Sequence, residues 1–178
     1  MKTYKAKKYS CGFGLLEVMI SVLIFAVGLL GLASLQLKAQ KAELESLQRA
    51  QALLLVNSMV SRMNNNRASR DCYWQQADEI GVDSDPSTGC DDIADRDLDE
   101  WDEMLEGAAE TQAGANVGGL VGARGCIVRN ATNIYTVSVA WQGFSETVTP
   151  TDSCAQNEYG TDTQRRVVNQ VVRFATLN

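Results

Sequence analysis

Residues 13–35, FGLLEVMISVLIFAVGLLGLASL, decide how the rest of the chain is read. Apart from Glu17, Ser21 and Ser34 the stretch carries no polar side chain, and it runs for 23 residues. About 20 such residues in a helix cross the roughly 30 Å hydrocarbon core of a bilayer. A basic leader, MKTYKAKKYSCG at 1–12, precedes it with Lys2, Lys5, Lys7 and Lys8, and Gln36 and Lys38 follow it. The lysines predict insertion by the N-terminus with the leader cytoplasmic and everything beyond about residue 36 on the far side. A cleaved secretory signal fits less well, because the apolar run is too long and no small-residue cut site follows it cleanly.

Glu17 needs a reason to be there. A carboxylate near the start of a membrane helix costs roughly 3 kcal/mol on insertion scales and is a functional candidate on that ground. Cleavage between Gly12 and Phe13 would leave a new α-amino group one helical turn from Glu17. That amine could pair with Glu17 of a neighbouring subunit; pairing within one chain is the competing geometry.

These residues carry a resemblance. Lys7-Lys8 followed by GFGLLEVMI at 12–20 resembles the prepilin-type processing motif of type IV pilins and type II secretion pseudopilins. The resemblance implies that a prepilin peptidase cuts between Gly12 and Phe13, that Phe13 is N-methylated, and that Glu17 drives subunit docking. Cys11 then leaves with the leader. Many major pilins carry a proline inside the apolar helix; this chain has none there, and Gly28 and Gly31 are its flexible points.

Composition bounds the remainder. The 178 residues suit one modest domain plus an extended helix. Loss of the leader removes four lysines and no acids, taking the formal charge from −6 to −10. So acidic a chain is not expected to bind nucleic acid directly. Histidine is absent, which removes the commonest general base and metal ligand. No catalytic constellation, cofactor motif or metal-ligand spacing is visible, and the expectation is a protein that is not an enzyme.

After processing, Cys72, Cys90, Cys126 and Cys154 remain. An even count beyond a membrane anchor predicts two disulfides in an oxidising compartment. Three connectivities are open; sequential pairing, Cys72–Cys90 and Cys126–Cys154, closes the shortest loops.

The helix is predicted to continue through 36–66, which lacks Pro and Gly, giving a rod of about 80 Å from Phe13. Leu37, Leu44, Leu47, Leu54 and Leu55 form a stripe expected to face the core. The chain is apolar nearly all round between Leu53 and Val60, so other elements are expected to wrap it there. Residues 67–97 read as an acidic loop stapled by Cys72 and Cys90. Within it Asp83-x-Asp85-x-Ser87 invites a calcium reading, but Thr88 replaces the required glycine and no glutamate follows at the twelfth place. Residues 97–106, DLDEWDEMLE, predict a short amphipathic helix with Asp102, Glu103 and Glu106 outward. A glycine-rich loop at 108–123 follows. Runs at 125–129, 134–141 and 165–175 then predict an antiparallel sheet over the upper half of the long helix, covering Leu54, Val56 and Met59.

The expected fold is therefore α+β and pilin-like. It comprises a leader at 1–12, a transmembrane assembly helix at 13–35, an amphipathic continuation at 36–66 and a head at 67–178 whose sheet spans 124–175. Within the family, NSMVSRMNNNRA at 57–68, DLDEWDEML at 97–105, RGCI at 124–127 and YTVSVAWQG at 135–143 resemble minor pilins of the PilV type. That likeness implies partners among other minor and major pilins, the prepilin peptidase, the inner-membrane assembly platform and a tip adhesin. It implies roles in priming pilus assembly, twitching motility and adhesion. A type II secretion pseudopilin is the alternative.

Overall fold

The computed structural model describes residues 14–74, 79–81, 86–107, 111–112, 115–116 and 119–175. The Gly12/Phe13 cleavage site and the first two carboxylates of the 83–92 loop lie outside them. The chain forms two compact units, Met1–Ala42 and Glu43–Asn178.

Helix α1, Leu15–Asn65, begins with the Glu17 and Val18 amides donating to the Gly14 carbonyl at 3.0 and 3.4 Å. An 18-residue window within it has mean hydropathy 2.6, so it is long and apolar enough to cross a membrane. Its end is marked by Asn64, whose side chain donates back to the Val60 carbonyl at 2.9 Å. A short 3-10 turn, Arg67–Ser69, follows.

Helix α2 spans Asp92–Glu106. It begins five residues earlier than the periodicity indicated, because Asp91 caps it. The Asp91 carboxylate accepts the Ile93 and Ala94 amides at 3.1 and 3.0 Å, which satisfies donors the first turn would otherwise leave open. At the other end Gly107 adopts φ 72° and donates its amide to Glu103 and Met104 carbonyls, a left-handed stop that glycine adopts without strain. The glycine-rich segment expected as loop contains a small antiparallel pair, β1 (Thr111–Gln112) and β2 (Ala115–Asn116).

The main sheet has the order β3-β4-β5: Arg124–Ala131, Ile134–Gln142 and Arg165–Arg173, all antiparallel. The β3–β4 turn places Asn133 at φ 61°, a left-handed position asparagine tolerates. One face of β4, with Tyr135, Val137, Val139 and Trp141, shares a core with Val168 and Val172 of β5 and with Phe174 just beyond it. Ala52, Val56, Met59 and Met63 of α1 and Ala94, Leu98, Trp101 and Leu105 of α2 complete that core. A smaller cluster of Ala140, Cys154, Ala155 and Tyr159 sits with Cys126 and Val167.

Four expectations need correction. Of the leucine stripe only Leu55 packs against the core: Leu37, Leu44 and Leu47 are exposed, and Leu54 is 69% exposed. Val56 and Met59 are buried as expected, on a face rotated from the exposed leucines, so α1 is covered on one side there and is not wrapped. Asp97, read as lying in the first turn of a helix, is mid-helix and buried. Asp102, read as outward, is half-buried and accepts the Gly81 amide at 2.6 Å. A Cβ on Gly81 would stand 2.6 Å from the Ala123 carbonyl oxygen, and φ there is +102°, so this close approach needs glycine.

Candidate functional site

The N-terminal unit is built from one helix whose described residues are all exposed. Leu15, Leu16, Met19, Leu23, Phe25 and Leu30 stand among its uncovered apolar side chains. Glu17 lies in the first turn. Its carbonyl accepts the Ser21 hydroxyl at 2.7 Å, and its carboxylate has no ion-pair partner among the described residues. So the first turn offers one negative charge on an otherwise oily surface. That arrangement can dock to a cation in an apolar setting, where a charge pair is screened little.

In the head, the four cysteines form two bonds, Cys72–Cys90 and Cys126–Cys154, with Cα separations of 5.6 and 5.8 Å. The first ties the segment after α1 to the start of α2; the second ties β3 to the β4–β5 connection. Tyr73, next to the first, is fully buried, and Trp74 is stacked by the Arg129 guanidinium at 5.7 Å.

Several acidic residues of the head hold its elements together. Arg62, at the end of α1, donates to Asp97 at 3.0 Å and Glu100 at 2.6 Å. Burial disfavours the Arg62 charge, but these carboxylates outweigh it and hold the group above its ordinary pKa. Tyr73 donates to Asp97 at 2.6 Å, and burial together with that bond raises the phenol pKa well above the usual value. Asp91 also accepts from Asn66 at 3.0 Å and Ser69 at 2.8 Å. The Ala94 amide first, then Ser69 and Asn66, hold its pKa below the ordinary carboxylate value. Asp95 accepts the Thr88 amide and hydroxyl and the Gly89 amide, so this part of the acidic loop is a folded turn.

A second group surrounds Arg165, which is 1% exposed. It donates to the Asp162 carboxylate and to the carbonyls of Pro150, Asp152 and Cys154, so its burial is compensated on every side. Nothing in the sequence flagged Arg165 or the Arg62–Asp97–Tyr73 group, because long-range pairing leaves no local pattern. Asp91 was readable: it precedes Ala94, Leu98, Trp101 and Leu105 at helical spacing. Among the described residues no three His, Cys, Asp or Glu side chains converge as a metal site.

An exposed apolar helix with one acid in its first turn, on a chain with a disulfide-bonded α+β head, fits a membrane-anchored protein. Residues 7–33, which include Gly12, Phe13 and Glu17, match the family described as a prokaryotic N-terminal methylation motif. The match covers the N-terminal part of the chain and supports a type IV pilin- or pseudopilin-like protein. Such a motif implies processing by a prepilin peptidase and assembly with other pilins. Neither a curated protein nor a solved structure matches the chain.

Proposed function

We propose that the chain is a minor pilin of the PilV type: a structural subunit that helps prime type IV pilus assembly at the fibre tip. The observation that carries the reading is Glu17 at the start of an uncovered apolar helix, within the matched segment 7–33. In this reading the leader ends at Gly12 and the peptidase releases Phe13, which is then N-methylated. Glu17 accepts the new amine of a neighbouring pilin as the subunit leaves the bilayer. The lysine-rich leader stays cytoplasmic, and the head, with Cys72–Cys90 and Cys126–Cys154, matures in the periplasm. The protein performs no chemistry of its own and takes no cofactor.

The test is intact mass and N-terminal sequencing of protein from membranes and from sheared fibres. Methyl-Phe13 is expected in both. Gly12→Ala should keep the leader attached, and Glu17→Ala should be processed but depleted from fibres at least tenfold. An unprocessed N-terminus in the fibre, or normal incorporation of Glu17→Ala, would refute the reading. Loss of twitching with intact protein secretion separates the minor pilin from a type II secretion pseudopilin, for which the order of effects reverses.

A further inference from the structure

The two edges of the main sheet differ. On β3 the outer side is bridged at Gly125, whose amide and carbonyl exchange bonds with Ile80 at 2.8 and 3.0 Å, and the strand is bulged between Arg129 and Ala131. β5 has neither protection. It pairs with β4 in unbroken register over its nine residues, and no described strand pairs with its other side.

Which groups face out follows from the ladder. Gly143 donates to the Gln164 carbonyl and Phe174 to the Asn133 carbonyl. In an antiparallel pair, bonded and non-bonded partners alternate, so Arg166, Val168, Gln170 and Val172 bond to β4. Val167, Asn169, Val171 and Arg173 therefore turn their amides and carbonyls outward. None of those backbone groups is taken by a bond among the described residues. The segment lacks proline and lysine, the usual guards of an open edge, and Val171 is 52% exposed.

Charge says what fits. At the far end Arg173 is exposed and makes no ion pair among the described residues. At the near end a groove of about 300 Å³ runs between α1 and the sheet, lined by Gln48, Arg49, Trp141, Arg166 and Val167 among others. Arg49 makes no ion pair among the described residues; Arg166 pairs with Glu45, which also lines the groove, at 3.7 Å and donates to the Ser145 and Thr163 carbonyls, so the groove holds two cations to one acid. A second copy is a poor occupant. The register that faces Val167 with Val171 centres on Asn169 and sets Arg173 opposite Arg165, whose charge is already matched by Asp162, so a second copy supplies no carboxylate to Arg173.

We infer that the outer edge of β5 is a docking site for an extended segment of another polypeptide. That segment adds a fourth strand, sets apolar residues beside Val167 and Val171, and carries a carboxylate towards each end, facing Arg173 and the Arg49–Arg166 groove. The mode is strand addition, in which backbone bonds give affinity and side chains give selectivity. It stands apart from the processing of the N-terminus, so failure of either leaves the other intact.

The probe is a capped nonapeptide written for antiparallel pairing, Glu-Thr-Val-Thr-Thr-Thr-Val-Glu-Thr, which sets its valines opposite Val171 and Val167 and its glutamates opposite Arg173 and Arg166; it is added to the full chain in detergent micelles, with a lysine-ended version, both glutamates replaced by lysine, as its counterpart. Amide exchange at Val167, Asn169 and Val171 should slow at least tenfold with the acidic peptide, and β3 should be unchanged. The lysine-ended peptide should bind at least tenfold more weakly, and Arg173→Glu should narrow or reverse that preference. Val171→Pro removes only an outward amide. It should abolish the protection while Val137 and Val139 exchange as before, which shows that the sheet is intact. No slowing at the three amides, or equal binding of both peptides, overturns the proposal. So does protection of the same amides that grows with protein concentration alone, which would assign the edge to a second copy.

Discussion

Gly125→Ala gives a measurable test of how tightly β3 is held against α2. A Cβ at this position would lie 2.5 Å from both Cη2 and Cζ3 of Trp101 and 2.8 Å from Cδ1 of Leu105. Carbon atoms prefer about 3.5–4.0 Å, so the new methyl is about 1 Å too close to three atoms. Trp101 cannot easily swing away, because it is fully buried and its indole N–H donates to the Leu55 carbonyl at 3.0 Å. The strand cannot easily retreat, because both backbone groups of Gly125 are bonded to Ile80. Overpacking costs about 1–3 kcal/mol in cores, and with both sides pinned the upper end, about 3 kcal/mol, is expected. Exchange of the Val137 and Val139 amides in β4, read on the full chain in detergent, should then accelerate about 100-fold, at 1.4 kcal/mol per decade. Trp101→Phe deletes the two clashing atoms. In that background Gly125→Ala should cost no more than about 1 kcal/mol, a coupling of about 2 kcal/mol between neighbours in contact. A cost within 0.5 kcal/mol of zero for the single variant, or the same cost in both backgrounds, would show that the contact is not close-packed.

Two further outcomes are expected. Reduction should loosen each disulfide-closed loop, with sequence separations of 18 and 28, at about 3 kcal/mol each in the chain-entropy model; in a Cys126→Ser/Cys154→Ser variant, limited proteolysis should cut first within 143–164, and a first cut near Asp91 would contradict this. Burial works against the Asp152 charge, but Asn169, the Cys154 amide and Ser138 bond to it and Arg165 lies near, so its folded pKa is depressed; that stabilisation is present above the ordinary carboxylate pKa of about 3.9 and is lost as pH falls through the folded value, so Asp152→Asn should flatten the acid limb of a thermal-stability profile between pH 5 and 2, and an unchanged limb would remove Asp152 from the account.

The helix and the sheet were legible in the chain because each carries one period over many residues. No proline interrupts 15–65, and β4 alternates Tyr135, Val137, Val139 and Trp141 with smaller or more polar partners. The covered face of α1 was legible only in part, at Val56 and Met59, for a physical reason. Leu44, Leu47 and Leu54 make one stripe, and Ala52, Val56, Met59 and Met63 make another at equally good helical spacing. Periodicity shows that both exist; only tertiary packing decides which one the head covers. The leucines are larger, so hydrophobicity alone selects the wrong one. The start of α2 was missed because its first turn, Asp92-Ile93-Ala94-Asp95, is polar on average, and the cap at Asp91 sets the boundary. Glu17 stands out in the sequence as an anomaly of composition, and its role is part of the proposal. The open edge of β5 was not, because an edge is a property of sheet order.

The stripe left uncovered has a use in the proposed function. Within the head unit Leu44, Leu47 and Leu54 are exposed on the helix, and their spacings of three and seven are those of a seam between helices. An isolated soluble domain gains nothing from such a seam, since each leucine kept in water forgoes about 1.5–3 kcal/mol of burial. A subunit that is stored in a membrane and later packed among other helices gains that energy on assembly. The head thus shows two kinds of incomplete surface, apolar on α1 and hydrogen-bonding on β5. The first is satisfied by any helix with a matching seam and sets little specificity. The second demands an extended strand of a particular charge pattern, so it is on β5 that a choice among partners would be made.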